Sequence, residues 1–248
     1  MDSISILLML GGAGAGFINA VAGGGSALVI PVLMLSGVDA SVANGTNRLV
    51  VGANSLVATG TYQTQNIRPW VGTPWMVVFI IAGTILGASF ATRMPAEQLQ
   101  LAFGFVFIVL AVVLGLKPGF LEPGAGGWVK GTWKGYTGIF FCGVYGGVLQ
   151  AGVGVPLLLV LVNLFGFDVV RSNAIKSAMI CAYSVLVILV FESAGLVDWQ
   201  RGGWLVMGGL LGSVMGARAV VLRGQGFIRA VTVTALILAA IKCFGLFF

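Results

Sequence analysis

Apolar runs long enough to cross a lipid bilayer recur along almost the whole chain, and they constrain its fold more than any other feature. Five such runs and a sixth, more polar one cover residues 70–92, 96–116, 172–192, 203–222, 226–247 and 41–62. A helix needs about 20 apolar residues to cross the hydrocarbon core of a membrane. The sequence therefore predicts an all-α polytopic membrane protein.

Composition excludes several classes of function. Hydrophobic residues make up 58% of the 248 residues and charged residues only 8%, which leaves no room for a soluble domain. The excess of 13 Lys and Arg over 7 Asp and Glu is typical of cytoplasmic loops and does not indicate a nucleic-acid partner. The chain has no His and its three Cys are far apart. We therefore predict no metal site and no cofactor, and a membrane enzyme is disfavoured.

The sequence contains an internal repeat at an offset of 129 residues. The coincident residues are Asp39 with Asp168, Asn44 with Asn173, Ser55 with Ser184, Trp70 with Trp199, Trp75 with Trp204, Gly83 with Gly212 and Gly87 with Gly216. Chance matches are common among apolar residues but not among Trp, Asn, Asp and Gly at one fixed offset. This pattern predicts two transmembrane repeats, 1–116 and 134–248, joined by a connecting loop at 117–133.

The opening segment of each repeat is too long for one membrane crossing. Residues 4–36 and 134–166 would form helices of about 50 Å, against a hydrocarbon core of about 30 Å. Gly23 to Gly25 interrupt the first segment, and Gln150 to Pro156 interrupt the second. Gly permits turns and Pro cannot donate a helical hydrogen bond. Each repeat is therefore predicted to be a broken, re-entrant helical hairpin followed by three transmembrane helices.

Loop charges favour inverted orientations of the two repeats. If the opening segments crossed the membrane fully, the repeats would be parallel, with five loop cations in the cytoplasm and six on the other side. Re-entrant hairpins would leave three cations outside (Arg93, Arg201, Lys242) and collect eight in the cytoplasm: Arg68, Lys117, Lys130, Lys134, Arg171, Arg218, Arg223 and Arg229. The positive-inside rule favours the second arrangement.

The two interruptions are predicted to bind an anion. Irregular backbone at membrane depth is tolerated only where it is buried in protein or lines a wet cavity. A helix beginning near Ser26 would direct unpaired N–H groups and the positive end of its dipole at a ligand beside Gly23, Gly24 and Gly25. Gln150 adds a side-chain amide to the second interruption. The alternative is that the glycines serve only tight helix packing.

Each repeat also carries polar residues deep in its second helix. They are Asn44, Asn47 and Arg48 in the first repeat, and Asn173 and Lys176 in the second. Spacings of three and four place them on one face, about 10 Å from a helix start near residue 40 or 169. Charges at that depth are costly and usually functional, and both cations suit sulfonate, carboxylate or phosphate. The alternative, snorkelling to the interface, does not explain the paired amides.

Two pairs of motifs resemble the TauE/SafE family of sulfite and organosulfonate permeases. The first pair is GFINAVAGGGSALVIPVLML and ANGTNRLVVGANSL, and the weaker second pair is GVYGGVLQAGVGVPLLLVL and RSNAIKSA. The resemblance implies a multi-pass carrier of the bacterial inner membrane for sulfite, sulfoacetate or other sulfonates. It implicates Gly23, Gly24, Gly25, Asn44, Thr46, Asn47, Arg48, Gln150, Gly152, Asn173 and Lys176 in substrate binding. The second copy departs from the pattern, with Ala174, Ile175 and Lys176 in place of Gly-Thr-Asn.

These observations predict a secondary transporter that alternately opens to each side around one anion at the repeat interface. A passive anion channel would use the same broken hairpins and remains the first alternative, with a membrane enzyme the second. The expected partners are a small sulfur-containing anion and membrane lipid. A homodimer would use the glycine-faced spans, which carry Gly83, Gly87, Gly208, Gly212 and Gly216.

Overall fold

A computed structural model describes residues 3–22, 24–70, 73–99 and 132–243, and single positions between 101 and 112. The elements of this part of the chain are helices: α1 (Ser3–Ala22), α2 (Ser26–Leu35), α3 (Ala40–Thr64), α4 (Pro74–Ala91), α5 (Trp133–Val148), α6 (Gly154–Asn163), α7 (Val169–Ser193) and α8 (Trp199–Cys243). Within the described residues, four segments are long and apolar enough to cross a membrane: Ile4–Val21, Pro74–Ala91, Val169–Ser193 and Trp199–Leu222. The prediction of an all-α polytopic membrane protein is confirmed. Most of the predicted connecting loop and much of the span 96–116 lie outside the described residues.

Both opening segments are interrupted, as the sequence predicts. Helix α1 ends at Ala22 and α2 begins at Ser26, while α5 ends at Val148 and α6 begins at Gly154. Pro156 lies in the first turn of α6. A proline is tolerated there because the N–H that it lacks would have no partner within the helix.

Each interruption reverses the direction of the chain. The second helix of each pair packs back along the first, so that its later residues meet earlier residues of its partner. The pairs that show this are Gly14 with Leu28 and Gly11 with Val32 in the first hairpin, and Gly146 with Val153 and Gly138 with Val160 in the second. Each opening segment is therefore a helical hairpin.

Glycine contacts interlock the two halves of the chain, residues 1–116 and 134–248. Helix α1 packs in parallel against α8, and α4 packs in parallel against α5. A β-carbon at Gly212 would lie 1.9 Å from the carbonyl oxygen of Ala13, and one at Gly87 would lie 2.1 Å from that of Val144. The glycine faces are thus covered within the chain. Helices α5 and α1 occupy the faces through which a homodimer was expected, and the homodimer itself stays a prediction.

Helix α3 is the polar centre of the bundle. Fifteen of its 25 residues are buried, and they include its three Asn residues and its one Arg. It runs antiparallel to α7, with Gly52 against Ser184 and Gly45 against Phe191, and parallel to α8. Polar side chains are stable here because the surrounding helices supply their hydrogen-bond partners.

The end of the chain differs from the prediction. Two spans, 203–222 and 226–247, were expected, but α8 is one helix of 45 residues, about 67 Å long. The second half therefore has two helices after its hairpin, α7 and α8, and not three. The segment around residue 224 contains Gly but no Pro, and an internal Gly costs a helix only about 1 kcal/mol. Positions 218, 223 and 229 consequently lie in a helix and not in the cytoplasmic loop assumed in the charge count.

The contact between α1 and α8 predicts opposite effects for two alanine substitutions on α8. Gly212→Ala should lower the unfolding temperature, because its methyl group meets the Ala13 carbonyl. Gly203→Ala should leave that temperature unchanged or raise it, because nothing lies within 4 Å of a β-carbon there and Ala is the better helix former. Thermal unfolding of the purified variants in detergent measures both effects. Equal unfolding temperatures would contradict the packing.

A candidate anion site at the helix breaks

Arg48 holds the broken end of α5. Its guanidinium donates hydrogen bonds to the carbonyl oxygens of Gly146, of Gly147 at 2.8 Å and of Val148 at 3.0 Å. Nδ2 of Asn44 donates to the same Val148 carbonyl at 2.8 Å. The last carbonyls of a helix lack partners within it and carry the negative end of its dipole. A cation from the first half of the chain therefore stabilises the interrupted helix of the second half.

Gln150, in the second break between Val148 and Gly154, hydrogen-bonds to the same guanidinium. Its Oε1 accepts hydrogen bonds from Arg48 at 2.8 Å and from the hydroxyl of Tyr183 at 3.1 Å. The backbone of Gln150 has a φ of 59°, and that of Gly152 a φ of 71°. A left-handed conformation is uncommon for a residue with a side chain, so Gln150 is strained unless its surroundings hold it. The two side-chain hydrogen bonds supply that restraint.

Lys176 occupies the corresponding place at the first break. Its Nζ donates to Oδ1 of Asn173 at 2.6 Å and to the carbonyl oxygen of Asn19 at 3.3 Å. Asn19 lies in the last turn of α1 and donates through Nδ2 to the hydroxyl of Ser55 at 3.3 Å. A cation from the second half of the chain thus contacts the interrupted helix of the first half. The predicted residues Asn173 and Lys176 are brought together, as are Asn44, Arg48 and Gln150.

Neither buried cation has a carboxylate partner. Arg48 is 2% exposed and Lys176 is 1% exposed. The ion pair between Arg201 and Asp198 lies at the start of α8 and includes neither of them. The ring of Phe191 lies 4.7 Å from Cζ of Arg48, which adds a cation–π contact. The polar partners of the two cations are therefore uncharged carbonyl and amide oxygens, and Arg48 has the Phe191 ring in addition. Burying cations without a countercharge costs free energy, and a bound anion would lower that cost.

Some hydrogen-bonding capacity in the cluster is unused. Nε of Arg48 and Oδ1 of Asn47 are buried and have no partner. Asn47 donates through Nδ2 to the hydroxyl of Ser26 at 2.9 Å, which places it at the start of α2. The first N–H groups of α2 have no partner within the helix. Nε of Arg48 and the first N–H groups of α2 are therefore donors that a ligand with several oxygen atoms could use.

The glycines of the first break have different roles. A β-carbon at Gly25 would lie 2.3 Å from the carbonyl oxygen of Ala15, so the hairpin itself requires glycine there. The alternative of tight packing therefore applies to Gly25. A β-carbon at Gly24 would make only an ordinary contact, 3.6 Å from the side chain of Ile18. Gly23 lies outside the described residues.

Thr46 is engaged away from the two cations. Its hydroxyl accepts a hydrogen bond from the backbone N–H of Asp198 at 2.8 Å, which joins α3 to the loop before α8. Partial burial tends to raise the pKa of Asp198, but hydrogen bonds from the backbone and guanidinium of Arg201 outweigh it and hold the pKa below its ordinary value. Asp198 therefore remains a charged cap of α8. The described residues show no contact between Thr46 and Arg48.

Sequence reasoning missed several residues that hold the site. Asn19, Tyr183 and Phe191 contact the two cations or Gln150, and the hydroxyl of Tyr145 donates to the carbonyl oxygen of Ala151 in the second break. Asn19 could have been identified from the sequence, because it is the one side-chain amide in the apolar run that precedes Gly23 to Gly25. The aromatic residues carried none, because a lone Tyr or Phe in a membrane helix is ordinary. The described residues contain no cluster of three His, Cys, Asp or Glu side chains that could hold a metal.

Comparisons with known proteins agree with this architecture. The chain is 30% identical over 231 residues to the probable membrane transporter protein ORF9 of Sinorhizobium, covering 92% of this chain and 87% of the relative. It is 27% identical to the probable membrane transporter protein YfcA of Escherichia coli, covering 88% and 81% of the two chains. A probable membrane transporter protein of Haemophilus influenzae is 25% identical, covering 94% and 91%.

No solved structure matches the chain. A family model described as sulfite exporter TauE/SafE matches residues 8–243, which include both hairpins and both buried cations. The match spans the motifs on which the resemblance was based. The chain therefore belongs to the sulfite exporter TauE/SafE family of membrane transporters.

Proposed function

We propose that the protein is a secondary carrier of small sulfur oxoanions, such as sulfite or organosulfonates, in the bacterial inner membrane. The observation that carries the proposal is the pair of buried cations, Arg48 and Lys176, without a carboxylate partner. A small anion between the two breaks would supply the missing countercharge. The binding residues would be those of the two interruptions together with the polar faces of α3 and α7.

Sulfur specificity rests on the family to which the chain belongs. The relatives compared above are described as probable membrane transporters, and the family as a sulfite exporter. The site chemistry is compatible with that substrate class, since a guanidinium and backbone N–H groups suit an anion with several oxygens. Carboxylates share part of this chemistry, so they belong in any binding test.

An inverted arrangement of the two halves is part of the proposal. Helices α3 and α7 carry the equivalent residues Asn44 and Asn173, and they pack antiparallel to each other. Equivalent helices in parallel repeats would point the same way. The reciprocal contacts of Arg48 with α5 and of Lys176 with α1 also support a two-fold relation between the halves.

The burial of the site favours a carrier over a passive channel. Asn44, Arg48, Gln150, Asn173 and Lys176 are all at most 2% exposed. A conducting channel would keep such residues in contact with water, whereas a carrier closes around its site during the transport cycle. We propose that the site opens to each side in turn.

A binding screen of the purified protein tests the substrate class. Sulfite, sulfoacetate and taurine should bind and should raise the unfolding temperature, because a ligand that binds only the folded state stabilises it. Sulfate and short carboxylates serve as the comparison anions. In liposomes, flux should saturate with substrate concentration and show counterflow, whereas a flux that rises linearly and shows no counterflow would establish the channel alternative.

Gln150→Glu should weaken anion binding without unfolding the protein. The new carboxylate would stand where Gln150 Oε1 now accepts from Arg48 at 2.8 Å, and would supply the countercharge internally. We expect the affinity to fall at least about tenfold, equivalent to about 1.4 kcal/mol, with an unchanged or raised unfolding temperature. Gln63→Glu, at the exposed end of α3, is the matched control. An unaltered affinity in Gln150→Glu would contradict the assignment of Arg48.

Neutral substitutions of the two cations should have different structural costs. Lys176→Met should weaken binding at least about tenfold with little loss of stability, because an apolar residue replaces a buried amino group that has no carboxylate partner. Arg48→Met should lose both binding and stability, because it leaves the carbonyls of Gly146, Gly147 and Val148 without donors, at about 1–3 kcal/mol for each unsatisfied group. Arg218→Met, on the exposed surface of α8, is the control. Isothermal titration and thermal unfolding measure the two quantities, and wild-type affinity in Lys176→Met would remove Lys176 from the site.

A further inference from the structure

The two buried cations differ in a way that bears on how transport is driven. NH1 and NH2 of Arg48 together make five hydrogen bonds, three of them to the end of α5. An arginine side chain also cannot lose its proton at accessible pH. Arg48 is therefore a permanent, fixed charge of the fold.

Lys176 is held far more loosely and by neutral groups only. Its ammonium contacts one amide oxygen, of Asn173, and one backbone carbonyl, of Asn19. A buried ammonium with no countercharge is disfavoured relative to the neutral amine, and lysine is the side chain that changes protonation most readily when buried. An anion beside it reverses that preference, because the ammonium then gains a partner.

Among the described residues, no carboxylate lies in the interior of a helix, where it could neutralise Lys176 in place of the anion. Helices α1, α2, α4 and α6 carry no ionisable side chain, and the acidic residues of the described chain lie at or near helix ends (Asp39, Glu97, Asp168, Glu192, Asp198). The remaining ionisable residues of the described helices are Arg48 and Tyr62 of α3, Lys134, Tyr136, Cys142 and Tyr145 of α5, Arg171, Cys181 and Tyr183 of α7, and the Arg, Lys and Cys residues of α8, of which Arg201 and Arg218 come first. Tyr62 donates its hydroxyl to the carbonyl of Ala20, one residue beyond Asn19. None of these groups is a carboxylate that could neutralise Lys176.

We propose that Lys176 takes up one proton when the anion binds and releases it when the anion leaves, so that the carrier moves the anion and a proton together. This inference rests on the proposed anion site. In the binding step the amine of Lys176, a proton supplied by the buffered solution and the anion combine into an ammonium paired with the anion. No electrons move, and a monoanion adds no net charge to the buried site. A pH difference across the membrane would then drive transport.

Thermodynamic linkage makes the proposal measurable without transport. If binding takes up one proton, the apparent affinity must fall as pH rises through the range where the unliganded lysine loses its proton, by up to about tenfold per pH unit. Methanesulfonate is the probe, because its sulfonate stays ionised throughout that range and contributes no proton of its own. Isothermal titration in two buffers with different ionisation enthalpies counts the protons taken up per anion bound.

Two variants separate the role of Lys176 from a general effect of pH. Lys176→Arg keeps a permanent charge, so it should bind methanesulfonate with no proton uptake and a flat pH profile. Lys134→Arg, at the exposed start of α5, should behave as the wild type. If Lys176→Arg does not fold, Lys176→Met takes its place, and it should bind more weakly with no proton uptake.

The outcomes distinguish this inference from the proposed function. One proton taken up by the wild type and none by Lys176→Arg supports the coupling. Binding without proton uptake in the wild type, or uptake that persists in Lys176→Arg, overturns the coupling and leaves the anion site intact. No binding of any sulfur oxoanion by the wild type at any pH overturns the proposed function, and the coupling with it.

Discussion

The fold depends on the reciprocal capping of two broken helices by two buried cations. Each interruption leaves a helix end whose last carbonyls lack partners within the helix, and both ends are buried inside the bundle, away from bulk water. Arg48 from the first half closes the end of α5, and Lys176 from the second half contacts the end of α1. The halves therefore need each other to bury their own irregular backbone, and the same contacts concentrate positive charge where the backbone is open.

Glycine packing determines which helices can move together. The tightest backbone contacts between two helices join α1 to α8 and α4 to α5, and each pair combines one helix from each half of the sequence. Rocking of one sequence half against the other would break these contacts. An alternating motion would therefore keep the pairs α1–α8 and α4–α5 intact and separate them from each other near α3 and α7, the helices that carry Arg48 and Lys176.

Much of this architecture was predictable because its signals are local. The hairpins were predicted from opening segments that are too long for one membrane crossing and are interrupted by Gly and Pro residues. The helix starts at Ala40 and Val169 directly follow Asp39 and Asp168. Residues three and four apart on one helix, such as Asn44 and Arg48, met as helical geometry requires. The continuity of α8 was missed, because glycine weakens a helix without ending it. Contacts between distant helices were also missed: nothing in the sequence joins Gln150 to Tyr183 or assigns the glycine faces to partners within the chain.

The most direct measurement is X-ray diffraction at the selenium absorption edge from crystals grown with selenite, the selenium analogue of sulfite. The account predicts an anomalous peak between the two interruptions, with a selenite oxygen about 3 Å from Nε of Arg48 or Nζ of Lys176, the distance of a hydrogen bond, and the selenium atom itself about 4 Å from that nitrogen. Peaks confined to surface arginines such as Arg68, with none beside Arg48 or Lys176, would contradict the claim that these two residues bind an anion.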